Sequence, residues 1–161
     1  MYECRKKYNL ACRRKKSGLE ICRILNSRNP EIKYLLGKIE ISKFVDGEIY
    51  IKILENVRRK SCFFIHHSSM NPQDWIVSLA FVNDALMRAS ASEIINVLPY
   101  LKYGRQDRIA EPRTPISSSF IAKVISDSAN HIVTTDLHNP AITGAFTIPC
   151  DNLRAYPVLI D

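Results

Sequence analysis

The stretch "LKYGRQDRIAEPRTP", Leu101 to Pro115, gathers Lys102, Arg105, Arg108 and Arg113 between an apolar run that reads as a strand and another that reads as a helix. Arg105 and Arg108 carry planar, multi-donor cations that match phosphate oxygens. Gln106 between them both donates and accepts hydrogen bonds, and Gly104 lets the backbone approach a ligand closely. These residue types point to phosphate binding. The competing reading is a solvated loop whose arginines pair weakly with Asp107 and Glu111.

A second group is "TTDLH", which places Asp136 and His138 at the end of an apolar run. Being two apart, they share a side if the strand continues. A carboxylate and an imidazole there can hold a divalent cation that keeps most of its waters. Against this, a lone histidine is more often structural, and His131 and the pair His66-His67 show that histidine in this chain is not reserved for one task. The third group, "KFVDGEIYIKI", sets Asp46 and Glu48 on either side of Gly47. Asp-Gly is a strong hairpin signal, so the motif by itself names no substrate. Phosphate-loop, dinucleotide and nucleophile-elbow patterns are absent from the sequence.

The elements that must position these groups follow from periodicity. Residues 18–25 suit a short helix. Ile39, Ile41 and Lys43, then Ile49, Ile51 and Ile53, alternate with polar neighbours as half-buried strands do. "SCFFIH" and "EIINVLP" are short apolar strands, and "HIVTTDLH" is another. From Pro72 to Ala89, the residues Trp75, Leu79, Val82, Leu86 and Ala89 recur on one helical face. Thr114 is placed to cap, and Pro115 to open, a helix carrying Ile116, Phe120, Ile121, Val124 and Ile125. The pattern predicts an α/β fold, a parallel sheet with helices on both faces and an antiparallel hairpin near the start. In such sheets ligands sit beyond the carboxyl ends of the strands, where the arginine loop and "DLH" both fall.

Length and composition bound the rest. At 161 residues, 46% hydrophobic, the chain suits one core. Net charge is +7, but seven cations against Glu3 alone lie in the first sixteen residues, so the remainder is nearly neutral and no uniformly basic nucleic-acid surface is indicated. Residues 1–17 read as a basic, solvated or disordered terminus, and 18–161 as the domain. Five scattered cysteines without a C-x-x-C pair indicate neither a disulfide framework nor a zinc site. No apolar run is long enough to span a bilayer, and no apolar segment follows the basic terminus as in a secretory signal. The expectation is cytoplasmic, with an organellar transit peptide as the alternative.

Taken in order and spacing, "KFVDGEIYIKILENVRRK", "LPYLKYGRQDR", "PRTPISS" and "TTDLHNPAITGAFTIPCDNL" resemble the ribose-phosphate pyrophosphokinase family, also called phosphoribosyl pyrophosphate synthetase, from about Lys38 to the last residue. The resemblance implies a phosphoribosyltransferase-like domain and transfer of the pyrophosphoryl group of ATP, with Mg²⁺, to ribose 5-phosphate. It implies that Phe44 stacks on adenine while Asp46 and Glu48 hydrogen-bond it, in ATP held mainly by a neighbouring subunit, hence a homo-oligomer or a hetero-oligomer with a family subunit. It further implies that Arg105 and Gln106 contact the nucleotide from a mobile loop, that His138 ligates the magnesium, and that Asn152 belongs to an allosteric site. Ala141, Thr143, Ala145 and Ser119 stand where the family carries two glutamines, an aromatic and a lysine. The family's second domain, which binds the ribose phosphate, has no counterpart in these residues. The sequence therefore reads as the N-terminal ATP-binding half, inactive alone, or as a non-catalytic regulatory subunit of the same enzyme.

Overall fold

The structure is a computed structural model that describes residues 7–12 and 15–160, with side chains from residue 18 onward. A six-stranded sheet is built from β1 (Lys7–Cys12), β2 (Lys33–Gly37), β5 (Ser61–Ile65), β6 (Glu93–Leu98), β7 (His131–Thr135) and β8 (Cys150–Leu153) in the order β2-β1-β5-β6-β7-β8. Every pairing in it is parallel. β3 (Ile39–Lys43) and β4 (Ile49–Ile53) form a separate antiparallel hairpin in which Ile41 faces Ile51. The helices are α1 (Lys15–Arg28), α2 (Pro72–Arg88), α3 (Ser117–Ser126) and the single turn α4 (Tyr156–Leu159), with a 3-10 segment at Pro140–Ala145.

The chain steps one way from β1 to β2 and the other way from β5 through β8. With right-handed crossovers this puts α1 on one face and α2 with α3 on the other, and makes β1/β5 the point where winding reverses. The core fills the α2–α3 side. Trp75, Leu79, Val82 and Leu86 of α2, and Ile121, Ala122 and Ile125 of α3, pack on Cys62, Phe64, Ile94, Leu98 and Ile132 of the strands. Ile39, Ile51 and Ile53 carry the hairpin's base against the same cluster.

Three expectations change. The basic terminus is not wholly a solvated end, because residues 7–12 form β1, hydrogen-bonded between β2 and β5. Residues 1–6 and 13–14 lie outside the described part. Second, the helix after the arginine loop starts at Ser117, not at Pro115, and Thr114 does not cap it: its hydroxyl donates to the Glu111 carbonyl at 2.7 Å. Third, Phe120 lies on the outer face of that helix, 66% exposed, while the small Ser118 and Ala122 turn inward.

Candidate functional site

The loop from Pro99 to Ile116 leaves the carboxyl end of β6 and returns to α3 without regular structure. Its first turn is anchored by Leu101, which is buried, and Tyr103 takes a left-handed φ of 65°. At Gly104 an added Cβ would come within 3.2 Å of the Leu101 carbonyl oxygen, a tight contact that a larger residue could make only if the turn shifted by a few tenths of an ångström. Gln106 ties the loop to α3. Its carbonyl accepts the Ser118 N–H at 3.1 Å, and its side-chain Oε1 accepts the Ser117 hydroxyl. Gln106 therefore satisfies the first turn of α3, the task expected of Thr114.

The turn after β7 is equally constrained. The strand stops at Thr135, and Asp136 adopts a left-handed φ of 44°, so Asp136 and His138 are not presented by a continuing strand. Three hydrogen bonds from the β8 side hold the turn. The Asp136 N–H donates to the Leu153 carbonyl at 3.0 Å, the Leu137 N–H donates to Asn152 Oδ1 at 3.1 Å, and Asp136 Oδ2 accepts the Ala155 N–H at 3.2 Å. Asn152 thus supports the "DLH" turn.

The two segments meet. Asn139 Nδ2 donates to Asp107 Oδ2 at 2.7 Å, tying the arginine loop to the residue after His138. That bond holds the Asp107 carboxyl below its usual range, helped by the positive neighbours His138 and Arg108. Arg105 and Gly104 from one segment, and Asp136, Leu137 and His138 from the other, line a cleft of about 240 Å³ floored by Leu101. On the other side of Arg105 a second cleft of about 390 Å³ includes Lys102, Gln106, Ser117 and Pro72. The weak ion pairs considered for the loop do not form. Among the described residues Arg105 and Arg108 have no carboxylate within salt-bridge distance, and Asp107 is engaged by Asn139. An exposed guanidinium at the edge of two clefts is available to a ligand's anionic oxygens.

Phe44, Asp46 and Glu48 lie elsewhere, at the tip of the β3–β4 hairpin, and line neither cleft. Gly47, at φ 94°, makes the turn, in which the Phe44 N–H donates to the Glu48 carbonyl at 2.8 Å and the Glu48 N–H to Asp46 Oδ1 at 3.1 Å. Phe44 is 56% exposed, its ring edge-on to Tyr50. Phe44, Asp46 and Glu48 thus form an exposed patch of one ring and two carboxylates. The other histidines have structural surroundings. His66 is buried, stacked between Phe64 and Trp75, with Nε2 2.9 Å from the Trp75 carbonyl oxygen, and His131 pairs with Asp151. Asn139 went unnoticed in the sequence, although Asn before Pro is a readable capping signal: its Oδ1 accepts the Ala141 N–H at 3.0 Å.

Comparison with known proteins gives these geometries a lineage. Residues 15–128 match the N-terminal domain of ribose phosphate pyrophosphokinase. The chain is 44% identical over 131 residues to the ribose-phosphate pyrophosphokinase of Agrobacterium fabrum, covering 79% of this chain and 42% of that protein. To the enzyme of the same name from Bacillus caldolyticus it is 42% identical over 127 residues, 78% of this chain and 40% of the other. The crystal structure of phosphoribosylpyrophosphate synthetase from Mycobacterium smegmatis superimposes on 96% of this chain and 50% of its own, with a TM-score of 0.85 and 29% identity. The chain therefore spans about two fifths of the length of the curated relatives it matches. The cleft shared by Arg105 and His138 thus lies in a chain that belongs to the ribose-phosphate pyrophosphokinase family, matching its N-terminal domain.

Proposed function

We propose that this chain is the Mg-ATP-binding half of a ribose-phosphate diphosphokinase, a transferase of nucleotide biosynthesis that moves the pyrophosphoryl group of ATP to ribose 5-phosphate. The observation that carries the reading is the meeting of Arg105 and His138 in one cleft at the carboxyl ends of β6 and β7. That is the position in a parallel α/β sheet where ligands bind. Phosphoryl-type transfer is catalysed largely by positioning and by neutralising charge on phosphate oxygens, and Arg105 supplies a cation for that purpose. Gln106 holds the loop's end to α3 through Oε1 and lines the neighbouring cleft, which leaves its amide nitrogen as a donor for the nucleotide.

The donor set fits magnesium held sparingly. Mg²⁺ takes one or two protein ligands and keeps waters and phosphate oxygens for the rest, and the cleft offers the His138 imidazole and the Asp136 carboxylate. When bound, the ion neutralises charge on the phosphates. Phe44, Asp46 and Glu48 would grip the adenine of ATP seated on a second copy or a family subunit, which accounts for a hairpin tip that is exposed and outside its own cleft. This reading also carries Asn152 as part of an allosteric site, acting through the Leu137 amide it holds. No described helix is long and apolar enough to cross a membrane; this reading puts the protein in the cytoplasm, where nucleotide precursors are made.

The test uses the purified 161-residue chain with Mg-ATP and ribose 5-phosphate. Orienting two reactants supplies roughly 7–11 kcal/mol of barrier lowering when geometry is good, and a chain that fixes only the nucleotide forfeits most of it. No AMP is expected. Adding the C-terminal half of a family enzyme, in trans or fused after Asp161, is expected to give AMP only when ribose 5-phosphate is present, and His138→Ala to abolish it. AMP formation by the chain alone, lost in His138→Ala, would overturn this assignment of the sugar site to the other half.

A further inference from the structure

We infer that Asp74, in the first turn of α2, is a positioning residue for the nucleotide hairpin and acts through Lys43. The inference rests on the reading of Phe44, Asp46 and Glu48 as nucleotide contacts. At its base the hairpin is fixed by packing, because Ile39, Ile51 and Ile53 lie against the core. Toward its tip Ile49 is still buried, but Ile41 and Lys43 border open space. A cavity of about 590 Å³ opens between Ile41, Lys43 and Ile49 on the hairpin side and His67, Met70 and Asp74 on the other. Close-packed side chains set the angle between two elements, and around this gap the packing of β4 on α2 is incomplete. Among the described residues an ion pair spans it, Lys43 Nζ to Asp74 Oδ2 at 2.6 Å.

The position of each partner gives the pair its leverage. Lys43 directly precedes Phe44, so the bridge holds the backbone from which the aromatic ring projects. Asp74 is itself clamped, for its N–H donates to Asn71 Oδ1 at 2.8 Å and its Oδ2 accepts Asn71 Nδ2 at 3.0 Å. The carboxylate also sits at the helix N-terminus, where the macrodipole favours negative charge. The same turn flanks the phosphate loop, since Pro72 lines the cleft that holds Arg105 and Gln106. One helical turn therefore steadies the adenine-facing hairpin on one side and borders the phosphate-facing loop on the other. Because Lys43 is about half exposed, the pair adds little to global stability, and its loss should show in the hairpin's freedom and not in melting.

The experiment compares the wild-type chain with Asp74→Asn and Lys43→Met, which keep side-chain length and remove one charge, and with Lys43→Arg, which keeps the charge. Backbone ¹⁵N order parameters of residues 44–48 are expected to fall from about 0.85 toward about 0.6 in the first two variants and to stay near wild type in the third. Melting temperature is expected to move by less than about 2 °C. If the loosened hairpin is competent a third to a tenth of the time, the Kd for Mg-ATP measured by calorimetry rises roughly 3- to 10-fold in the same two variants, and Lys43→Arg restores it. Order parameters unchanged in both charge-removing variants overturn the strut. A loosened hairpin with unchanged Mg-ATP affinity overturns the positioning role. A wild-type chain that binds no Mg-ATP overturns the nucleotide reading, and the positioning role with it, while the order parameters still decide whether the ion pair holds the hairpin.

Discussion

Asp107 shows how a single side chain joins two parts of the site. Its carboxyl titrates below the usual range because Asn139 donates to it, with His138 and Arg108 adding positive potential. A folded-state pKa below the unfolded one means that the contact's stabilisation is complete above the unfolded value and fades as pH falls through the lower folded value, that is, below about pH 4. Asn139→Ala is therefore expected to move the Asp107 midpoint upward in an NMR titration; an unmoved midpoint would assign the shift to the backbone hydrogen bond and the neighbouring charges instead. Burial acts in the opposite sense on two thiols. Cys62 and Cys150 are each pushed up to about 11, chiefly by desolvation, with Glu55 adding to the rise at Cys62 and Asp151 at Cys150. At pH 8 roughly one molecule in a thousand carries either thiolate, so mass-mapped alkylation of both should be far slower in the folded chain than in urea. Labelling at the unfolded rate would contradict their burial.

Among the elements, α2 is the one whose sequence pattern and structure agree most closely. Trp75, Leu79, Val82 and Leu86 recur at helical spacing, and all four are buried. Leu79→Ala is expected to destabilise the chain by about 2–5 kcal/mol, as fully buried leucines do, whereas Phe81→Ala, on the same helix but half exposed, should change stability by about 0.5 kcal/mol or less. Equal losses in urea titrations of the two variants would contradict the assigned faces. The hairpin was legible for a similar reason, since alternation over Ile39–Lys43 and Ile49–Ile53 is local information. What was hidden depends on distant partners. β1 is a short run, "KYNLAC", between clusters of cations, and only its pairing with both β2 and β5 makes it a strand. Thr114 looked like a cap because it precedes Pro115, yet the backbone carbonyl of Gln106, twelve residues before Ser118, accepts that residue's N–H through a fold in the loop. The "DLH" turn reads as the tail of a strand until the Leu137 and Asp136 N–H groups are seen bonded to Asn152 and Leu153 of β8, an element with no periodic signal in its four residues.

At the scale of the whole molecule, the candidate ATP contacts divide into two groups facing different surroundings. Arg105, Gln106 and His138 border adjoining clefts beyond the carboxyl ends of β6 and β7, while Phe44, Asp46 and Glu48 project from a hairpin that lines neither. Under the proposed reading a nucleotide held by both groups is shared between two chains. Sedimentation at micromolar concentration is accordingly expected to show self-association that strengthens with Mg-ATP, and a monomer under both conditions would contradict that arrangement. The claim beneath all of this is that the Arg105–His138 cleft receives the phosphates of Mg-ATP, and a calorimetric titration of the folded chain tests it most directly. The wild type should bind, and Arg105→Ala should bind about 10- to 100-fold more weakly, the equivalent of about 1.5–3 kcal/mol for a charge-assisted hydrogen bond. Equal affinity in the two proteins, or no binding by a wild-type chain shown to be folded, would contradict it.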